Sequence, residues 1–219
     1  MADPGQDRSD ARDRMVADQL RARGIADHRV LDAMAAVPRD AFVDDALQPD
    51  AYADRPLPIG AGQTISQPYI VARMTELLAV RPGDRILDIG TGSGYQAAIL
   101  AQLGCRVISV DREQALADHA RARLERLGFG DRVEVRTGDG SVGDAEHAPW
   151  EGIVVAAAAP AVPKSLKAQL ADGGRLVIPV GGRREQRLLV IQRRGTDYLE
   201  HDDGACTFVP LIGEEGWPG

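Results

Sequence analysis

Residues Ile86 to Gly94 read Ile-Leu-Asp-Ile-Gly-Thr-Gly-Ser-Gly, and the next apolar run, Arg106-Val-Ile-Ser-Val110, closes on Asp111. Read in order, this is a buried strand, a glycine loop, a helix and a second strand ending in a carboxylate. A chain with that succession is driven toward a parallel, doubly wound sheet, in which ligands sit beyond the carboxyl ends of the strands. Gly90 and Gly92 let the backbone approach a ligand closely and adopt dihedrals other residues avoid. Gly94 opens the helix, whose first N–H groups have no partner within it.

The rest of the chain repeats the same alternation. From residue 85 the pattern gives strand 85–89, helix 94–103, strand 106–110 and helix 113–127, with Leu116, Ala120, Leu124 and Leu127 on one helical face. Strands follow at 132–136 and 152–157. A helix over 163–171 stops at Gly173-Gly174, and strand-like stretches at 175–180, 187–193 and 205–212 complete the chain. Strands alternating with helices of this length predict right-handed crossovers in one parallel sheet. The order of the carboxyl-terminal strands is not fixed by pattern.

Ahead of the sheet the period is helical. Met15, Val16 and Leu20 suggest a short helix stopping at Gly24, and Val30, Leu31, Met34 and Val37 a second, ended by Pro38. Residues 48–64, rich in Pro, Gly and Asp, are expected to be irregular. Ile70, Val71, Met74, Leu77 and Leu78 form another helical stripe, ended by Arg81-Pro82-Gly83. Residues 1–13 lack an apolar stripe and are expected to form a disordered tail. The remainder, 14–219, is expected to be one domain, with a helical cap and substrate loop over 14–80 and a donor-binding sheet over 81–219.

Composition narrows the partners. The 219 residues carry a net charge of −7, and a phosphate backbone usually selects a basic surface, so nucleic acid is disfavoured. The only lysines are Lys164 and Lys167, a compositional bias toward arginine. Cys105 and Cys206 are far apart, and His28, His119, His147 and His201 show no ligand spacing, so no metal site is expected. No apolar run approaches a membrane span and the amino terminus is acidic, which predicts a soluble cytoplasmic protein.

The acids select the cofactor. A dinucleotide needs a pyrophosphate cradle, normally G-x-G-x-x-G after apolar residues. Here the spacing is G-x-G-x-G, and Asp88 precedes Gly90 by two positions. That anion repels pyrophosphate and favours a cation, such as the ammonium and sulfonium of S-adenosyl-L-methionine. Asp111, 21 residues after Gly90, suits two ribose hydroxyls, and Asp139, in Thr-Gly-Asp-Gly140, an adenine amine. With Thr91, Ser93 and Arg112 these residues make the expected donor site, leaving S-adenosyl-L-homocysteine as product.

Several segments carry a wider resemblance: Arg55-Pro-Leu-Pro-Ile59, Gln63-Thr-Ile-Ser-Gln-Pro-Tyr69, Asp88-Ile-Gly-Thr-Gly-Ser-Gly-Tyr-Gln96, Gly138-Asp-Gly140, Ala156-Ala-Ala-Ala-Pro160, Gly173-Gly-Arg-Leu-Val-Ile-Pro-Val-Gly181 and Phe208-Val-Pro-Leu-Ile212. Over about Met15 to Trp217 the chain resembles the protein-L-isoaspartate (D-aspartate) O-methyltransferases. The glycine loop is shared by many methyltransferases; the Thr-Ile-Ser-Gln-Pro element is far more specific. Asp88 and Asp111 stand where glutamate is also found, and Ala156 where threonine or glycine is frequent.

The resemblance implies a Rossmann-like methyltransferase fold with an amino-terminal helical extension, working as a monomer on isoaspartyl-containing proteins and peptides, with neither nucleic acid nor membrane as partner. It implies methyl transfer to the free α-carboxylate of L-isoaspartyl, and also D-aspartyl, residues, starting repair through a succinimide. It makes Ser66 the active-site residue, with Thr64, Ile65, Ser66, Phe208, Val209, Pro210, Leu211 and Ile212 on the substrate. Residues 55–69 are then expected to cover the methyl group. Read from local sequence alone, Ser66 ahead of Gln67-Pro68 is a helix N-cap. The two roles are compatible, since a helix amino terminus also attracts a carboxylate. Three alternatives stay open: a methyltransferase for small carboxylic acids or another protein site, a nicotinamide-dependent oxidoreductase, and a non-catalytic donor-binding module.

Overall fold

In the computed structural model, residues 4–219 are described, with side chains from residue 8 onward. Helix α1 (Pro4–Arg14) runs into a π-helical turn, Met15–Leu20, and is followed by α2 (His28–Ala36). A small antiparallel hairpin, β1 (Leu57–Gly60) and β2 (Gln63–Ile65), leads into α3 (Pro68–Leu78). The alternating part comprises β3 (Arg85–Ile89), α4 (Tyr95–Gln102), β4 (Arg106–Asp111), α5 (Gln114–Arg126), β5 (Val133–Thr137), β6 (Trp150–Val155), α6 (Lys164–Ala168) and β7 (Leu170–Gly181). Two more strands, β8 (Gln186–Arg194) and β9 (Asp197–Cys206), end it.

The seven strands from β3 onward form one sheet in the order β5-β4-β3-β6-β7-β8-β9. The first five are parallel, and β8 and β9 add an antiparallel edge. From β3 the chain steps outward through β4 to β5, then returns to place β6 on the other side. The order therefore reverses between β3 and β6, and the crevice beyond their carboxyl ends is where such sheets bind ligands. The Gly90–Gly94 loop leaves β3 at that point.

Side-chain alternation divides the core between the sheet's two faces. Ile86, Val154 and Val177 join Met15, Leu20, Leu31, Met34, Phe42 and Met74 beneath the amino-terminal helices. Leu87, Ile89, Ile153 and Ile178 join Trp150, Leu166 and Leu170 on the other face. Residues 15–80 thus pack on the same apolar surface as the sheet. Glu76, near the end of α3, fixes the entry to α2 by accepting from the N–H groups of Ala26 (2.7 Å) and Asp27 (2.9 Å). Asp27 caps α2, accepting from the Arg29 N–H.

The segment 48–64, expected to be irregular, carries most of the β1–β2 hairpin, and three further expectations need correction. Pro4–Arg14 is helical rather than a tail, continuous with a turn whose Met15 and Leu20 are fully buried; Ala11 packs on the core and Arg8 reaches Asp40 at 3.4 Å. Residues 1–3 lie outside the described residues. The helix expected over 163–171 stops at Ala168, because Leu170 is already paired beside Trp150 and fully buried; Gly173-Gly174 lies in a bulge of β7. Lastly, β9 covers 197–206, and 205–212 is not a strand: beyond Cys206 only isolated bridges remain, including Ala158 to Pro210. An edge strand that is mostly solvated shows no alternation of apolar residues, so pattern alone passes over it.

Among the described residues no helix is long and apolar enough to cross a membrane, and no His/Cys/Asp/Glu cluster suits a metal. Both cysteines are free; burial pushes the Cys105 thiol up to about 12.

Candidate active site

The glycine loop is shaped by hydrogen bonds to the neighbouring strand. Gly90 N–H donates to Val110 O (2.9 Å), and Gly94 N–H to Thr91 O (2.8 Å), closing a turn ahead of α4. Gly90, Gly92 and Gly94 have φ of 90°, 52° and 89°, a region where a side chain is strained. The loop is also walled in. A Cβ on Gly92 would lie 3.2 Å from Ile59 of the β1–β2 hairpin, and one on Gly94 3.2 Å from Leu124 of α5.

Asp88 lies beneath this loop, not in its mouth. It is fully buried on β3, paired in register with Ser109 of β4. Ser109 Oγ–H donates to Asp88 Oδ2 at 2.7 Å, and Thr91 and Ser109 share a second hydroxyl hydrogen bond of 2.7 Å. The other carboxylate oxygen, Oδ1, is buried and has no partner. Burial pushes the Asp88 carboxyl up to about 7; the Ser109 hydroxyl works against that rise and the neighbouring Asp111 adds to it. The group is thus a buried, half-satisfied acid.

Asp111 ends β4 and faces the crevice. Its Oδ2 accepts from Gly92 N–H (2.8 Å) and its Oδ1 from Glu113 N–H (3.0 Å), which locks the carboxylate plane while leaving each oxygen a free lone pair. A cleft of about 1010 Å³, including its open mouth, runs from Asp111, Arg112 and Glu113 past Gly90–Ser93 to Thr64, Ile65 and Ser66. Gly140, Val209, Pro210, Leu211 and Ile212 close another side. The carboxyl-terminal wall is held by Ala158, whose N–H donates to Val209 O and whose O accepts from Leu211 N–H, both 2.8 Å.

The cap reading of Ser66 fails. Helix α3 begins at Pro68, so the cap position falls to Gln67, which makes no side-chain cap bond. Proline at the first helical position has a preset φ and no N–H to satisfy, which starts the helix there. Ser66 is one residue too early to reach the free N–H groups. Its half-buried side chain is left to the cleft that it lines.

Asp139, beside Gly140 of the cleft, is held by backbone N–H groups. Its Oδ1 accepts from Ser141 N–H (2.8 Å) and its Oδ2 from Glu214 N–H (2.7 Å). Burial opposes its charge, but these N–H donors and the nearby Arg112 outweigh that and hold the carboxyl below its ordinary range. Ser141 Oγ accepts from Glu215 N–H, and Glu215 accepts from Ser165 Oγ–H. The acid is therefore a latch for the segment 211–217, and it does not line the cleft.

Phe208 also falls outside this cleft. It lines an adjoining groove of about 1220 Å³ that shares Thr64, Ser66, Ala156 and Val209 with it. Tyr95 and Gln96, at the start of α4, line the cleft, although the sequence reading gives them no role beyond ending the Asp88–Gln96 segment. Tyr95 stacks edge-on to Phe42, and Gln96 Nε2 donates to Thr75 Oγ1 (2.9 Å), tying the loop to the amino-terminal helices. Their position directly after Gly94 was the available signal. Glu113, Val71 and Met74 line it too, with no signal in their spacing.

Comparison with known proteins agrees in one direction. The family model described as Protein-L-isoaspartate(D-aspartate) O-methyltransferase (PCMT) matches residues 11–216. A protein-L-isoaspartate O-methyltransferase of Methylorubrum extorquens (strain PA1) is 57% identical over 212 residues, 96% of this chain and 92% of that protein. One from Methanoregula boonei (strain DSM 21154 / JCM 14090 / 6A8) is 56% identical over 210 residues, covering 96% of both. Among solved structures, a protein-L-isoaspartate O-methyltransferase superposes with a TM-score of 0.84 at 26% identity, over 94% of this chain and 67% of that one. A Plasmodium falciparum counterpart, solved with S-adenosyl-L-homocysteine, gives 0.78 at 25% identity, over 92% and 98%.

Proposed function

The chain belongs to the protein-L-isoaspartate(D-aspartate) O-methyltransferase family, and from that premise we propose how its own residues carry out the reaction. The enzyme transfers a methyl group from S-adenosyl-L-methionine to the free α-carboxylate of L-isoaspartyl, and also D-aspartyl, residues in damaged proteins and peptides. The backbone amide nitrogen next to the ester then attacks its carbonyl and expels methanol, closing a succinimide whose hydrolysis returns part of the chain to normal aspartate. The observation that carries the assignment of roles is the single cleft that joins Asp111 and the glycine loop to Thr64, Ile65 and Ser66.

The donor end suits the cofactor for a specific reason. Asp88 Oδ1 is buried without a hydrogen bond, a costly state that an ammonium group, directly or through a water, relieves. Asp111 holds two N–H donors in its plane and keeps lone pairs for ribose hydroxyls. Thr91, Ser93, Arg112 and Gly140 line the same space, while Gly90, Gly92 and Gly94 give the loop its shape. When bound, the donor supplies a methyl group on a positively charged sulfur.

The acceptor end needs orientation more than proton transfer. A carboxylate of reference pKa about 4 is ionised at neutral pH, so no general base is required. Ser66 and Thr64 orient it by hydrogen bonding, with Ile65 and the Val209–Ile212 wall excluding water. Phe208 extends that surface along the adjoining groove. Alignment of this kind is worth roughly 7–11 kcal/mol in favourable cases, and a dry cleft favours the neutralisation of charge. The Asp139 latch keeps the wall in place.

The test is methyl transfer to paired peptides that differ only in an aspartyl or an isoaspartyl link. Selective labelling of the isoaspartyl member is expected; equal labelling of both overturns the acceptor assignment. The same reading has the enzyme work as a monomer in the cytoplasm, with neither nucleic acid nor membrane as partner. Light scattering behind a sizing column checks the monomer, and a stable dimer at micromolar concentration contradicts it.

A further inference from the structure

The groove that leads into Thr64 and Ser66 carries one charged lining residue among those described, Arg23. Its backbone is fixed. Arg23 closes a short helical turn before Gly24, whose φ is 94°, and the next N–H, of the buried Ile25, donates back to Leu20 O (3.1 Å). The side chain is fixed as well. The guanidinium carbon lies 3.7 Å from the centroid of the Tyr69 ring, and Nη1 donates to Asp54 Oδ2 at 2.8 Å. Gln67, which also lines the groove, donates through Nε2 to the backbone oxygen of that same Asp54.

Nε and Nη2 of Arg23 donate to nothing among the described residues. That edge of a guanidinium is the pair of parallel donors that meets a carboxylate in bidentate fashion. The guanidinium lies over an aromatic ring and lines a groove, in a protein whose net charge of −7 otherwise repels acidic chains. A peptide whose isoaspartyl carboxylate sits at Ser66 finds this groove, which shares Thr64 and Ser66 with the cleft, open to its neighbouring residues.

Resting on the acceptor assignment above, we propose that Arg23 is a specificity-determining residue, favouring substrates with an acidic side chain close in sequence to the damaged residue. Arg23 touches the flanking chain and not the reacting atoms, so its effect falls on KM and leaves kcat unchanged.

The test uses the full-length enzyme and a series of isoaspartyl peptides that share one core and carry Glu, Gln or Lys at single flanking positions. For the parent enzyme the best Glu peptide is expected to have a KM roughly two- to fivefold below its Gln counterpart, the range of a partly exposed ion pair, with the gap closing at high salt. Arg23→Gln erases the gap, Arg23→Glu reverses it toward Lys, and both keep the parent kcat and affinity for S-adenosyl-L-homocysteine. Asp54→Asn, which removes the brace but not the cation, retains the preference for Glu. A parent enzyme indifferent to flanking charge, a preference that survives Arg23→Gln, or an equal loss on every peptide with Arg23→Gln and Asp54→Asn alike overturns the proposal. If the parent labels neutral isoaspartyl peptides, the acceptor assignment stands whatever becomes of Arg23; if it labels none, both fall.

Discussion

Replacing Asp88 by asparagine tests the donor end most directly, because the structure gives that carboxyl two linked and measurable consequences. With its pKa near 7 in the folded protein and about 3.8 when exposed, the native state holds a proton that the unfolded chain releases between those values. The unfolded state binds fewer protons there, so stability falls as pH rises from about 4 to 7. The gap of roughly three units corresponds to a loss on the order of 4 kcal/mol, complete above the folded pKa. Asp88→Asn removes this titration, so its stability should vary less over pH 4 to 8 than the parent's, although the asparagine amide brings an unpartnered N–H of its own.

The second consequence concerns binding. An ammonium ligand needs the ionised form, which is about one tenth of the free enzyme at pH 6 and nearly all of it at pH 8. Apparent affinity scales with that competent fraction, so Kd for S-adenosyl-L-homocysteine should rise about tenfold from pH 8 to pH 6. Titration calorimetry at pH 7 in two buffers of different ionisation enthalpy should register about half a proton released per ligand. Asp88→Asn should bind more weakly at pH 8 and lose most of the pH dependence. A flat Kd between pH 6 and 8 without proton release, or the same pH dependence in the variant, would refute the pairing of Asp88 with the donor.

Three further outcomes follow from the geometry. Ser66→Ala should lower kcat by roughly ten- to a hundredfold, the worth of one hydrogen bond to a charged group. Its melting temperature should not change, because Ser66 caps no helix; a fall in melting temperature with activity retained contradicts the assignment. Gly140→Ala places a Cβ 2.5 Å from Cγ2 of Ile89, a buried β-branched side chain that cannot swing away, and should cost about 1–3 kcal/mol in a denaturant melt. Asp139→Ala removes the acceptor for Ser141 and Glu214, so residues 211–217 should become more open to limited proteolysis, with stability down by about 1 kcal/mol. Unchanged cleavage there would show that Asp139 does not hold the strap.

The fold-defining unit was readable because its signals are local. Ile86 to Asp111 carries its strand, loop, helix and strand in consecutive residues, and the stripe of Val71, Met74 and Leu78 marks the buried face of α3. Signals that depend on neighbours were not readable. Strand β9 exists because β8 offers an unpaired edge, and Leu170 is a strand residue because Trp150 lies beside it.

Local residue order is thus enough to specify a doubly wound sheet with a glycine loop at its reversal point and Asp111 at the end of the adjacent strand. Contiguous residues specify both, through side-chain period and the conformational freedom of glycine. What each acid and hydroxyl does there depends on packing between distant segments. Asp88 became a buried acid because Ser109 and the loop enclose it, Asp139 a latch because Glu214 returns to it from 75 residues away, and Ser66 a cleft residue because Pro68 starts the helix without it. A polar group takes its role from burial and from the partners left to it, and both are supplied by segments distant in the chain.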